Sequence, residues 1–174
     1  MESRLEYKPF YRRNLPHIVS TERPLFVTFT TMGRTLLPPG ARTIALRHAL
    51  HSHGERISVD VVVVMPDHMH LIFSLLLDEK GNAPSLGEIM KGIKGASSRR
   101  INQLLGRHGT LWQDESFDRV LRRIERSRAK YEYVCQNPVR AGLAASPNDY
   151  PWLWRSWIEG SSVPFAPCGG SSSL

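Results

Sequence analysis

ISVDVVVVMPDHMHLIF, residues 57–73, decides the fold. Residues 57–64 are almost all β-branched, too apolar for a strand with one solvated face, so they predict a central strand covered on both sides. Met65, Pro66 and Asp67 turn the chain. Met69, Leu71 and Phe73 then alternate with His68 and His70, the period of a strand whose two faces differ.

Outward from this stretch, strand and helix patterns alternate. Leu25 to Thr31 is aromatic and β-branched and predicts a first strand. After two prolines, Ile44, Leu46 and Ala49 or Leu50 mark a helix over Ala41 to His53. Ser85 with Glu88 forms a capping box that opens a second helix, with an apolar stripe of Leu86, Ile89, Met90, Ile93, Ile101, Leu104 and Leu105. Gly92 and Gly95 weaken it. Leu111 to Leu121 reads as a fourth strand, and Ile124 to Gln136 as a third helix stopped by Pro138. The order β-α-β-β-α-β-α predicts an α+β, ferredoxin-like antiparallel sheet with packed helices, a fold shared by many functions. Residues 1–23 read as a basic arm, 24–158 as one domain, and 159–174 as a disordered Gly/Ser/Pro-rich tail.

The chain has 174 residues, with 23 Lys and Arg against 16 Asp and Glu, a net charge of +7. That surface attracts polyanions, nucleic acid first among them. Cys135 and Cys168 have no metal-ligand spacing, which argues against a structural zinc site and a disulfide framework. The sequence contains no bilayer-length apolar run and no apolar signal centre near the N-terminus, so no membrane association is expected, and the cytoplasm is the expected location.

Side chains two apart on a strand share a face, so His68 and His70 project together as half of a metal site. The alternative is a polar pair on a solvated edge. On the third helix, residues four apart share a face, which joins Tyr133 to Asn137 and Tyr131 to Cys135. An Asn137 carbonyl oxygen with two imidazoles makes three neutral ligands for a divalent ion with positions open to a phosphate. The alternative for Tyr133 is a packing aromatic. Lys91, Lys94, Arg99 and Arg100 lie on the second helix; Arg119, Arg122, Arg123, Arg126, Arg128 and Lys130 flank the third. Each is a candidate phosphate contact or part of a solvated face. A histidine-triad hydrolase needs a third alternate histidine where Ile72 stands, and no Asp-x-His follows His70 as a metallo-β-lactamase-like site requires.

In this order, several segments resemble the REP-associated branch of the single-tyrosine HUH transposases. They are the Val-rich run into Met65-Pro66-Asp67-His68-Met69-His70, Leu111-Trp112-Gln113 to Leu121, Tyr133-Val134-Cys135-Gln136-Asn137-Pro138-Val139-Arg140-Ala141-Gly142-Leu143, and Pro147-Asn148-Asp149-Tyr150-Pro151-Trp152. Arg12-Arg13-Asn14-Leu15-Pro16-His17 and Phe26-Val27-Thr28-Phe29 add to these. The resemblance implies an HUH endonuclease fold. His68 and His70 would hold Mg2+ or Mn2+, with Asn137 completing the site where relatives commonly carry glutamine, and Tyr133 would be the nucleophile. A phenol, with a reference pKa of about 10, leaves more readily than an alkoxide, so its phosphate ester is reversible. The implied activity is metal-dependent cleavage and rejoining of single-stranded DNA through a 5′-phosphotyrosine, on hairpins of the repetitive extragenic palindrome type. Tyr11, Arg12, Arg13 and His17 would read a short tag beside the hairpin. The resemblance also implies a nucleoid-associated protein acting as a monomer, although other relatives are dimers with exchanged tyrosine helices. Asp67 either orients a histidine or only forms the turn. The competing function is a regulator that binds DNA hairpins without cutting them.

Overall fold

A computed structural model describes residues 23–121 and 124–158, except for the side chains of 124–127. The elements are β1 (Leu25–Thr30), α1 (Pro39–Leu50), β2 (Ile57–Val64), β3 (His68–Leu75), α2 (Leu86–Leu105), β4 (Phe117–Val120), α3 (Ile124–Arg140) and β5 (Leu153–Arg155). The strands form one sheet in the order β4-β1-β3-β2-β5, antiparallel at every pairing. Its first four strands have the ferredoxin-like order expected from the pattern.

Both faces of the sheet are covered. Val59, Val62, Val64, Met69, Leu71 and Phe73 pack against α1 and α2. Val61, Val63, Met65 and Ile72 pack on the other face with Val134 of α3, Tyr150 and Leu153. The valine run divides between the two layers through a register shift between Val59 and Val61. This bulge puts Val59 and Val62, three apart, on the same face and takes Asp60 out of the alternation.

The Ser85–Glu88 capping box forms as expected, with Glu88 N donating to Ser85 Oγ at 3.2 Å and Ser85 N to Glu88 Oε2 at 2.9 Å. Leu104 and Leu105, assigned to the apolar stripe of α2, lie toward solvent at its end. Helix α1 starts two residues earlier than the periodicity suggests because Pro39 suits the first turn, where its missing N–H costs nothing.

Three expectations are corrected. The predicted strand over Leu111 to Leu121 is ordered as a strand only at Phe117–Val120, with an isolated bridge between Thr31 and Trp112. Trp112 turns inward instead, its indole N–H donating to Ser97 Oγ at 2.9 Å and its ring edge-on to Phe29. Helix α3 continues through Pro138 to Arg140. Pro138 lacks a donor and its ring crowds the carbonyl one turn back, yet the helix still closes, with Leu143 N donating to Pro138 O at 2.8 Å and Gly142 N to Val139 O at 3.0 Å. These are the two bonds of a Schellman cap, with Gly142 left-handed at φ 68°. The third correction is β5, a short strand that the pattern did not mark.

Two glycine substitutions should therefore have opposite signs. Gly142→Ala forces a Cβ into a left-handed position and is expected to cost about 1–2 kcal/mol. Gly92→Ala, inside α2 with open space around the added Cβ, should stabilise by about 0.5–1 kcal/mol. Urea denaturation midpoints of the two variants check both signs.

Candidate active site

The β1–β3 register sets Thr30 opposite His68 and Thr28 opposite His70, so the two imidazoles project from the α3 face of the sheet. Their ring centroids lie 4.8 Å apart. Each ring is oriented through Nδ1. That of His70 is 2.6 Å from Thr28 Oγ1, and that of His68 is 2.6 Å from Asp67 Oδ1. If Nδ1 is the protonated nitrogen and donates in both rings, both Nε2 atoms offer a lone pair. His70 is 4% exposed, and its Nε2 is buried with no hydrogen-bond partner. Burial, then electrostatic repulsion from His68 and Lys130, lowers its pKa to about 3. It is thus a neutral imidazole in ordinary buffer with an unpartnered Nε2, and in the tautomer protonated at Nδ1 that nitrogen is free to bind a metal.

Asp67 both forms the turn and orients a ring. Its backbone carbonyl accepts from Thr31 N at 2.8 Å, while its carboxylate also accepts from Arg34 Nη1 at 3.1 Å. Burial works to raise the carboxyl's pKa, but the bonds from His68 and Arg34 outweigh it and hold the group below its usual range. Arg34 itself adopts φ 57°, a conformation costing about 1–2 kcal/mol for a residue with a Cβ.

Tyr133 of α3 reaches this pair. Its ring centroid is 5.6 Å from that of His70 and 6.5 Å from that of Phe26. Lys130 Nζ lies 4.9 Å from the Tyr133 ring and Arg140 Cζ 5.7 Å. Tyr131 points elsewhere. Its hydroxyl donates a short hydrogen bond to Asp60, the residue displaced by the bulge. Burial, together with that bond and the carboxylate's charge, pushes its pKa up. Asn137 donates its amide to the Tyr133 carbonyl at 3.1 Å, along its own helix rather than to an imidazole. Among the described residues, no three His, Cys, Asp or Glu side chains cluster as a metal site. Two histidines are brought together.

The basic residues are more scattered. Lys91, Arg99 and Arg100 are exposed on α2, which covers the face opposite the histidines. Lys94 is occupied inside the protein, its Nζ donating to Gln113 O at 2.8 Å, Ser116 Oγ at 2.9 Å and Asp114 O at 3.1 Å. Those bonds use all three ammonium donors, and burial lowers its pKa against the pull of Asp114. Tyr11, Arg12, Arg13, His17, Arg122 and Arg123 lie outside the described residues, as does the Arg126 side chain. Thr28 and Arg140 were not singled out from the sequence. Thr28 depends on cross-strand register, whereas Arg140 could have been found by its i+7 spacing from Tyr133.

The family model of the IS200-like transposases matches residues 41–131, more than half of the chain, and the protein belongs to that family. The matched span includes both histidines and ends before Tyr133. No curated protein matches. Among solved structures, a REP-associated tyrosine transposase bound to a REP hairpin is similar at a TM-score of 0.58 and 20% identity, over 85% of this chain and 81% of that one. A transposase candidate from Deinococcus radiodurans R1 is 20% identical, with a TM-score of 0.45 over 74% of this chain and 97% of that one. At these identities the first likeness shows the fold, and the second carries no argument. None of the helices described is long and apolar enough to cross a membrane.

Lys94 separates a structural cation from candidate phosphate contacts. Lys94→Met is expected to lower stability by about 1 kcal/mol, because it removes charge-assisted bonds to acceptors that are only partly shielded from solvent. The slope of log affinity against log salt for single-stranded DNA should be unchanged, whereas loss of a phosphate contact would reduce it by about one.

Proposed function

We propose that the protein is a metal-dependent single-stranded DNA endonuclease and strand transferase that acts through Tyr133. The observation that carries this reading is the 5.6 Å approach of the Tyr133 ring to His70, an imidazole whose buried Nε2 has no partner. Family membership and the unused nitrogen both support it.

Tyr133 Oη bonds to phosphorus as the P–O3′ bond breaks, leaving a 5′-phosphotyrosine and a free 3′-hydroxyl; the phenol proton passes to water and the departing oxygen takes one from it. Attack by another 3′-hydroxyl reverses the step and joins strands without a nucleotide cofactor. Mg2+ or Mn2+, held by Nε2 of His68 and His70 with the Asn137 amide oxygen as a third ligand, would supply charge neutralisation at the phosphate oxygens. Lys130 and Arg140 stand beside Tyr133, where anionic charge gathers during the transfer. Thr28 and Asp67 hold the imidazoles in the required tautomer. Since β3 and α3 of one chain provide both halves of the site, a monomer suffices. The substrate class, hairpins of the repetitive extragenic palindrome type, follows the ligand of the similar solved transposase.

Incubated with Mn2+ and a hairpin oligonucleotide carrying single-stranded flanks, the protein should form an adduct that survives denaturing electrophoresis. Tyr133→Phe should abolish the adduct and Tyr131→Phe should retain it. The reverse pattern would refute the assignment, and hairpin binding with no adduct from any form would favour a non-cutting regulator. In calorimetry, Thr28→Val should weaken Mn2+ binding about 10- to 100-fold through loss of the Nδ1 partner.

A further inference from the structure

Edge strand β4 presents an aromatic, Phe117, and a cation, Arg119, beside the candidate site, and the chemistry proposed for Tyr133 uses neither. The register pairs Thr28 with Phe117 and Phe26 with Arg119. Directly opposed residues share a face, so both side chains project on the side of His70 and Tyr133. Asp118, opposite Val27, projects on the other side, which keeps its carboxylate away. Both Phe117 and Arg119 are exposed, Phe117 at 49%. The Phe117 and Phe26 rings meet in a T-shaped contact, 6.2 Å between centroids and 67° between planes; Phe26 in turn stacks on His70 at 5.7 Å, with an interplanar angle of 21°. Lys130 Nζ stands 4.6 Å from the Phe26 ring.

A single exposed phenylalanine is ordinary on a protein surface. Three features set this one apart. It lies two strand spacings from His70, about 10 Å, which is within the reach of one nucleotide from phosphate to base. Cations flank it on its own strand and on α3. It also sits at the sheet edge, where a polymer can pass. Exposed rings interleaved with cations are what unpaired nucleic acid requires, because bases stack on the rings while phosphates meet the cations.

We propose that Phe117 and Arg119 form a subsite for an unpaired nucleotide flanking the scissile phosphate: its base stacks on the exposed part of the Phe117 ring, and Arg119 holds the adjoining phosphate. The subsite rests on the reading of the protein as acting on single-stranded DNA, and it adds the part that seats the strand.

The test is binding of the full chain, by fluorescence anisotropy in EDTA, to a hairpin oligonucleotide with single-stranded flanks and to a series with one flank base removed at a time. Phe117→Leu keeps the apolar packing on Phe26 but lacks a π face, and Phe117→Trp keeps both. Phe117→Leu should weaken binding about 5- to 150-fold, the range for losing one stacked base, and Phe117→Trp should bind like the parent protein. One abasic position should reproduce the loss in the parent and add nothing in Phe117→Leu. Arg119→Gln should lower the salt slope by about one. If Phe117→Leu binds as tightly as the parent, or if its loss adds to that of every abasic position alike, the subsite does not exist. Because EDTA removes divalent ions, the outcome is independent of cleavage. Base-specific loss without any adduct in the Mn2+ assay would uphold the subsite and reject the catalytic reading, and the opposite pair of results would do the reverse.

Discussion

One hydrogen bond fixes where the phenol of Tyr133 can be. Helix α3 meets the sheet across an apolar interface centred on Val134, and apolar packing is non-directional. A helix seated on valines alone could rotate or slide by a fraction of a turn at little cost. The bond from Tyr131 to Asp60 removes that freedom because it joins one residue of the helix to one point on β2. It exists because the bulge turns Asp60 out of the strand's alternation. The backbone amide of Ser156, just after β5, donates to the Asp60 carbonyl at 2.9 Å, so the same residue ties the helix, the central hairpin and the last strand together. With Tyr131 held, Tyr133 faces the histidines.

The histidine pair is organised before any ligand arrives. Burial disfavours protonation of His70, Thr28 holds its ring, and Asp67 with Arg34 holds that of His68. Leaving a buried nitrogen unpaired costs roughly 1–3 kcal/mol, and the left-handed backbone at Arg34 adds to that cost. Such costs tend to persist where function requires them.

The central hairpin was legible because burial on both faces writes a continuous apolar run and two-fold alternation writes the face of each histidine. The α2 start was legible because the capping box is local chemistry. What failed depended on distant partners. Pro138 carries a local stop signal that the Schellman cap beyond it overrides. Leu153–Arg155 is three residues long and is a strand only because β2 offers an edge. Trp112 reads as a strand residue by propensity, but its indole finds Ser97 in α2. Thr28 acquires its role from register, and Lys94 looks like any surface lysine until the loop carrying Gln113 and Asp114 closes over it. The pairing of Tyr133 with Asn137 was correctly placed on one helix face, yet the amide bonds along the helix, which spacing does not reveal.

The sheet also acts as a partition. Lys130, Arg140 and Arg119 lie on one side of it, while Lys91, Arg99 and Arg100 lie on the other with α2. Double-helical nucleic acid is stiff over about 150 base pairs, so a stem a few turns long cannot fold around a domain this small to touch both sides. A straight duplex that touches Lys130, Arg140 and Arg119 therefore leaves Lys91, Arg99 and Arg100, on the far side of the sheet, out of its reach.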